Sequence, residues 1–176
     1  KTNTALPQAY YNKIEGIEHL TTETGAGQWG AALSYAGAMF DIDVQVWQVR
    51  TSYESKPYRR MLMDLYGGRC YSSPTMDTKA GRAMNEKFPG TTGSLGMAIS
   101  EAVEVALEDE KTHYTLGSVL NHVMLHQTII GEETLLQLKK FGEDQADYVF
   151  GCAGGGSNLA GLSFPFIREL IAGNCT

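Results

Sequence analysis

Along this chain, apolar positions change period repeatedly. Residues 28–40 are small or apolar on every side, which predicts a helix buried beneath a sheet. Residues 42–49 alternate instead, with Ile42, Val44 and Val46 set against Asp43 and Gln45, the period of a strand. Residues 95–107 return to a helical period. There Leu95, Ile99, Ala102, Val103 and Ala106 are expected inward, and Glu101, Glu104 and Glu108 outward as a solvated face. The remaining helices are expected at 4–15, 58–66, 79–87, 123–140 with a possible break near Gly131, and 159–171. Pro7 is placed near a first turn and Gly16 at the first helix's end. Short strands are expected at 17–22, 69–71, 113–116 and 148–150, and residues 51–57 read as a polar connection.

Strand and helix alternate throughout, so the expected fold class is α/β. It is a three-layer arrangement of mostly parallel sheets with helices on both faces, and such sheets bind ligands at the carboxyl ends of their strands. Two of those ends carry glycine loops. One is Glu23-Thr24-Gly25-Ala26-Gly27-Gln28, and the other is Gly154-Gly155-Gly156-Ser157-Asn158. In the second, three glycines permit consecutive N–H groups to converge at the positive end of the next helix, a concavity suited to phosphate. Ser157 adds a hydroxyl and Asn158 is suited to fixing the loop. A simple tight turn is the alternative. Leu159 stands where G-x-G-x-x-G needs glycine and no lysine follows, so neither a dinucleotide fingerprint nor a Walker loop is present.

Composition narrows the partners. A formal net charge of −6 without a basic run argues against nucleic acid or an anionic membrane surface. No apolar stretch reaches spanning length and no signal-peptide pattern is seen, so a cytoplasmic location is expected. Cys70, Cys152 and Cys175 are far apart and suggest neither a disulfide framework nor a zinc site. The chain opens on Lys1 and stops just after a predicted helix, the expectation for a fragment of a longer chain.

Glu23 lies at a strand end where packing demands no carboxylate. It is a general acid–base candidate if burial raises its pKa, and otherwise an ordinary helix-start carboxylate. The amides of Gly25, Ala26, Gly27 and Gln28 can receive a carboxylate or oxyanion. Ser118 can donate to an anion or simply serve a turn. His122 and His126 are four apart on a helix and read as metal ligands or packing histidines, and no metal site is expected.

Taken together, these residues resemble one family. Lys1-Thr2-Asn3-Thr4-Ala5 is similar to the second half of the motif around the Schiff-base lysine of tryptophan synthase β chains. The Glu23–Gln28 loop is similar to that family's substrate-carboxylate loop, and Gly154-Gly155-Gly156-Ser157-Asn158 to its phosphate cradle. Trp29, Lys56-Pro57-Tyr58-Arg59-Arg60 and Gly117-Ser118-Val119-Leu120-Asn121-His122 resemble its second, divergent class. The resemblance runs from Lys1 to about Arg168. It implies a fold-type II pyridoxal 5'-phosphate enzyme, a lyase that condenses L-serine with indole to give L-tryptophan.

By that resemblance Lys1 and Glu23 are catalytic, and Thr24, Gly25, Ala26, Gly27 and Gln28 bind the substrate carboxylate. Lys1, Gln28, Ser118, Gly154, Gly155, Gly156, Ser157 and Asn158 hold the cofactor. Residues 1–125 are expected to form an N-terminal-type domain with a mobile region at about 56–117, and 126–176 the first part of a cofactor domain. A homodimer is implied for the complete parent chain, and association with an α subunit stays open. The alternatives are another fold-type II enzyme acting on serine or threonine derivatives, or a non-catalytic phosphate-ligand-binding module.

Overall fold

A computed structural model describes residues 1–174 in two compact units, residues 1–115 and a second that begins at Leu116. In the first unit four strands form a wholly parallel sheet of order β3-β2-β1-β4, with β1 His19–Thr24, β2 Asp43–Val49, β3 Arg69–Ser73 and β4 Thr112–Tyr114. Parallel strands need crossovers, and helices supply them. These are α2 (Gln28–Phe40), α3 (Arg50–Ser55), α4 (Pro57–Leu65), α5 (Lys79–Lys87) and α6 (Leu95–Leu107), with α1 (Thr2–Ile14) packed on α2.

The alternation along β2 explains why both sheet faces are covered. Val44 and Val46 join Leu20, Leu33, Ala36 and Met63 in one core under α1 and α2. Trp47, on the other face, joins Ala98 and Ala102 of α6. Gly30 and Gly37 let α2 approach closely, since a Cβ at Gly37 would stand 2.4 Å from Val44 Cγ2 and 2.7 Å from the Ile42 carbonyl. The expected parallel α/β arrangement is thus present.

Four expectations are corrected. Residues 51–57, expected as a polar connection, are largely helical, because α3 and the start of α4 occupy them. Pro57 sits in the first turn of α4, where its missing N–H has no intrahelical partner to lose. Glu101 does not face solvent. It is fully buried, accepting from Ser73 Oγ, Thr75 N, Thr75 Oγ1 and Thr78 Oγ1 at 2.5, 2.9, 2.5 and 2.8 Å. The inward stripe of α6 is therefore Ala98, Glu101 and Ala102, while Leu95 is half exposed. Finally, Pro7 lies in the second turn of α1, not the first.

The second unit contains α7 (Asn121–Gln127), α8 (Ile129–Lys140) and α9 (Ser157–Ile171). The helix expected to break near Gly131 breaks at Thr128, and Gly131 stays helical, with α9 so close that a Cβ there would meet the Leu162 carbonyl at 2.4 Å. Residues 148–150 form no strand. Tyr148 and Phe150 are about four-fifths exposed and stack on each other, with centroids 6.2 Å apart. An apolar run is only half a strand signal, and among the described residues of this unit no neighbouring strand pairs with it. Cys175 lies outside the described residues.

Candidate active site

Within the first unit, β1 runs through Glu23 to Thr24, so both residues end a strand rather than open a loop. Gly25, Ala26 and Gly27 make the turn into α2, whose N-cap Gly27 takes a left-handed φ of 96° and offers no capping side chain. The N–H groups of Gln28 and Trp29 begin α2 where no intrahelical acceptor precedes them, Gly30 N donates to Thr24 Oγ1 at 3.3 Å, and Ala31 N makes the first intrahelical bond, to the Gly27 carbonyl. Gly27 cannot be another residue without rearrangement, because a Cβ would lie 2.7 Å from Arg59 Cβ. Gln28 is exposed at the first position of the helix.

Glu23 is 5% exposed. Burial raises its carboxyl above the ordinary carboxylate value, while a 2.5 Å hydrogen bond from Tyr114 Oη to Oε2 and its own backbone N–H oppose the rise. The Tyr114 phenol is pushed up in turn, first by burial and then by the bond and charge of Glu23. Trp47 is the Cα partner of Glu23 across the sheet.

Lys1 is the N-cap of α1, its carbonyl accepting from Thr4 N and Ala5 N at 3.1 and 3.0 Å. Desolvation lowers its side-chain ammonium below the usual lysine value, which enlarges the neutral, nucleophilic fraction. Sequence reasoning missed two groups here. Tyr114 sits in a three-residue strand whose pattern carries no chemical signal. Gln48, at the carboxyl end of β2 beside Gly27, is fully buried with its amide nitrogen unpartnered while Oε1 accepts from Cys70 Sγ at 3.4 Å.

Within the second unit, the other glycine loop repeats the geometry of the first. Gly156 is the N-cap of α9 with φ 96° and again no capping side chain. Gly154 and Gly155 are exposed, and Asn158 Oδ1 receives the Cys152 N–H at 2.9 Å, bracing the loop from its far side. Ser118 closes it from above: Ser118 Oγ donates to Ser157 Oγ at 3.0 Å and accepts Ser157 N–H at 3.3 Å, and Val119 N donates to the Gly155 carbonyl at 3.2 Å. A Cβ on Gly155 would lie 2.4 Å from Ser118 Oγ, so this cradle requires glycine.

His122 and His126 lie in the same unit with ring centroids 5.9 Å apart, edge to face. Among the described residues no group of three or more His, Cys, Asp or Glu converges. No helix is long and apolar enough to cross a membrane, again among the described residues.

The first unit thus presents a parallel α/β sheet whose strand end carries a buried carboxylate beside a helix start, and the second unit a glycine cradle opening a helix. The family model of pyridoxal-phosphate dependent enzymes matches residues 1–175, and the chain belongs to that family. The tryptophan synthase beta chain 2 of Pyrococcus furiosus is 55% identical over 174 residues, 99% of this chain and 39% of its own length. That of Methanosarcina mazei is 57% identical over 173 residues, 98% of this chain and 39% of its own. The chain thus spans about two fifths of the relatives it matches. Among solved structures, a hydrogen sulfide-producing enzyme from Fusobacterium nucleatum shares the fold, with a TM-score of 0.71 at 16% identity over 96% of this chain and 46% of that one.

The residues present fit the cofactor of this family. Phosphate suits the Gly154–Gly156 cradle, which opens the N-terminus of α9 and has the Ser118 and Ser157 hydroxyls beside it. An aldehyde suits a lysine whose ammonium is already destabilised.

Proposed function

We propose that the full chain is a tryptophan synthase of the β type, a lyase that condenses L-serine with indole to form L-tryptophan. The observation that carries this reading is the identity of about 55% over nearly every residue of this chain to proteins named tryptophan synthase beta chain. Pyridoxal 5'-phosphate, when bound, supplies the electron sink for cleavage at the serine α-carbon.

The chain's own groups have distinct tasks in this reading. Gly154, Gly155, Gly156, Ser157, Asn158 and Ser118 hold the phosphate. Lys1 would hold the cofactor's aldehyde, and its Nζ, in the neutral form that burial favours, would take the α-proton of serine. Thr24, Gly25, Ala26, Gly27 and Gln28 orient the serine carboxylate at the start of α2, with Gln28 also reaching the cofactor. Glu23 gives a proton to the departing serine hydroxyl and accepts one as indole adds, a task for a carboxyl whose pKa lies above the ordinary range. Residues 56–117 close over the site and exclude water. A homodimeric, cytoplasmic protein fits this activity.

The test is tryptophan formation by the full chain loaded with pyridoxal phosphate and given serine and indole. Lys1→Ala abolishes it with the phosphate cradle still able to bind, and Glu23→Gln lowers it by about a hundredfold or more. Product formed from serine and sulfide, with none from indole, would replace this reading by another β-replacement.

A further inference from the structure

Glu23 and Tyr114 come from neighbouring parallel strands, and the register explains how they meet. Tyr114 is the Cα partner of Thr21, so its side chain shares the sheet face of Thr21 and Glu23. Its hydroxyl then reaches diagonally, two residues along β1, to Glu23 Oε2 at 2.5 Å.

The backbone beside Tyr114 is pinned at several points. Thr115 N and Oγ1 both donate to the Thr21 carbonyl, at 2.8 and 3.1 Å. The Thr115 carbonyl accepts from Thr22 Oγ1 at 2.7 Å, and Trp29 Nε1 donates to that same hydroxyl oxygen at 2.6 Å. Each of these atoms is buried, and together they tie the end of β4 to β1 and to the first turn of α2. The Tyr114 ring packs, partly buried, against the Trp47, Ala98 and Ala102 cluster.

We infer that Tyr114 is a positioning residue for Glu23, holding Oε2 by a hydrogen bond so that Oε1 is the oxygen presented for proton exchange. The inference rests on the catalytic role proposed for Glu23. Without the phenol the carboxyl would lose a donor that favours its ionised form, and burial would act with less opposition.

The other titratable groups near this face are occupied elsewhere. From α6, Glu101 is bound by Ser73, Thr75 and Thr78. On β1 itself, His19 lies four residues away against Asp43 Oδ2, at 3.1 Å. On β4, His113 is turned to Asn12 Oδ1, at 2.7 Å. Tyr114 is the titratable side chain bonded to Glu23.

Tyr114→Phe keeps the ring in its aromatic cluster and removes only the hydroxyl, so it separates positioning from packing. The experiment uses the full chain loaded with pyridoxal phosphate and carrying carboxyl-13C glutamate, with the Glu23 resonance assigned by its disappearance in Glu23→Gln. The expected result is a Glu23 titration midpoint about one pH unit higher in Tyr114→Phe. Replacing Tyr114 by 3-fluorotyrosine, a stronger donor of the same shape, moves the midpoint down. In turnover, Tyr114→Phe lowers kcat for tryptophan formation roughly tenfold with little change in the serine KM, because the carboxylate loop is untouched.

An unchanged Glu23 midpoint in Tyr114→Phe, or shifts of the same sign in both replacements, overturns the inference. A shifted midpoint combined with full activity in Glu23→Gln overturns the catalytic reading of Glu23 instead, and leaves its hydrogen bond to Tyr114 standing.

Discussion

Ser118 Oγ both donates to Ser157 Oγ, at 3.0 Å, and accepts the Ser157 N–H, at 3.3 Å, joining a corner and a helix start that are 39 positions apart. The pair forms one wall of the glycine cradle. Gly155 lies against that wall with no room for a side chain, whereas Gly154 has open space.

Gly155→Ala is therefore expected to weaken pyridoxal phosphate binding tenfold or more, about 1.4 kcal/mol, while Gly154→Ala changes it little. Adding Ser118→Gly to Gly155→Ala should recover part of the loss, since it removes the atom that the new methyl would strike. Equilibrium dialysis of the cofactor against these three variants and Ser118→Gly alone measures this. Additive losses would contradict the geometry.

Val119 is strained for the sake of the same wall. It is a β-branched residue at a φ of 69°, and the Leu120 N–H donates across it to the Ser118 carbonyl at 2.7 Å in a three-residue turn. Such a conformation costs on the order of 1–2 kcal/mol, and asparagine adopts it more readily. Because Val119 is over half exposed, little packing is at stake. Val119→Asn should raise stability by about 0.5–1 kcal/mol in denaturant unfolding.

Glu101 is a buried carboxylate with four donors, which makes its removal costly. Glu101→Ala leaves those donors unpaired and is expected to cost about 3–5 kcal/mol. Glu101→Gln, which keeps one acceptor oxygen, should cost about half as much. Thermal unfolding of each variant checks the order Ala worse than Gln. A Glu101→Gln protein as stable as the parent would contradict this expectation.

The raised carboxyl of Glu23 has a consequence for stability. Its folded pKa lies above the unfolded value near 4.5, so the folded state holds the proton more tightly. Stability linked to Glu23 is thus greatest below the unfolded pKa and declines as pH rises through the folded one. Glu23→Gln removes this decline. Its stability relative to the parent should rise between pH 4 and pH 8, and a difference constant across that range would contradict the assignment.

Much of this was legible in the chain because the signals were local. The period of two in Val44 and Val46, the all-round apolar 28–40 segment and the two glycine loops each act through neighbouring residues, and all correspond to elements of the fold. What stayed hidden depends on distant partners. Glu101 reads as one of three outward glutamates until Ser73, Thr75 and Thr78 are folded beneath it. Tyr114 acquires its relation to Glu23 only through the register of β4 on β1, a pairing 91 positions apart. The apolar run at 148–150 failed in the opposite direction, since a strand signal requires a sheet to receive it.

The most direct test of the cofactor site is to load the full chain with pyridoxal phosphate, reduce it with borohydride and map the modified peptide. The expected result is a single stable adduct on the Lys1 side chain, lost in Lys1→Ala, and reduced in occupancy at limiting cofactor by Gly155→Ala. An adduct on a different lysine, with Lys1 unmodified, would contradict it.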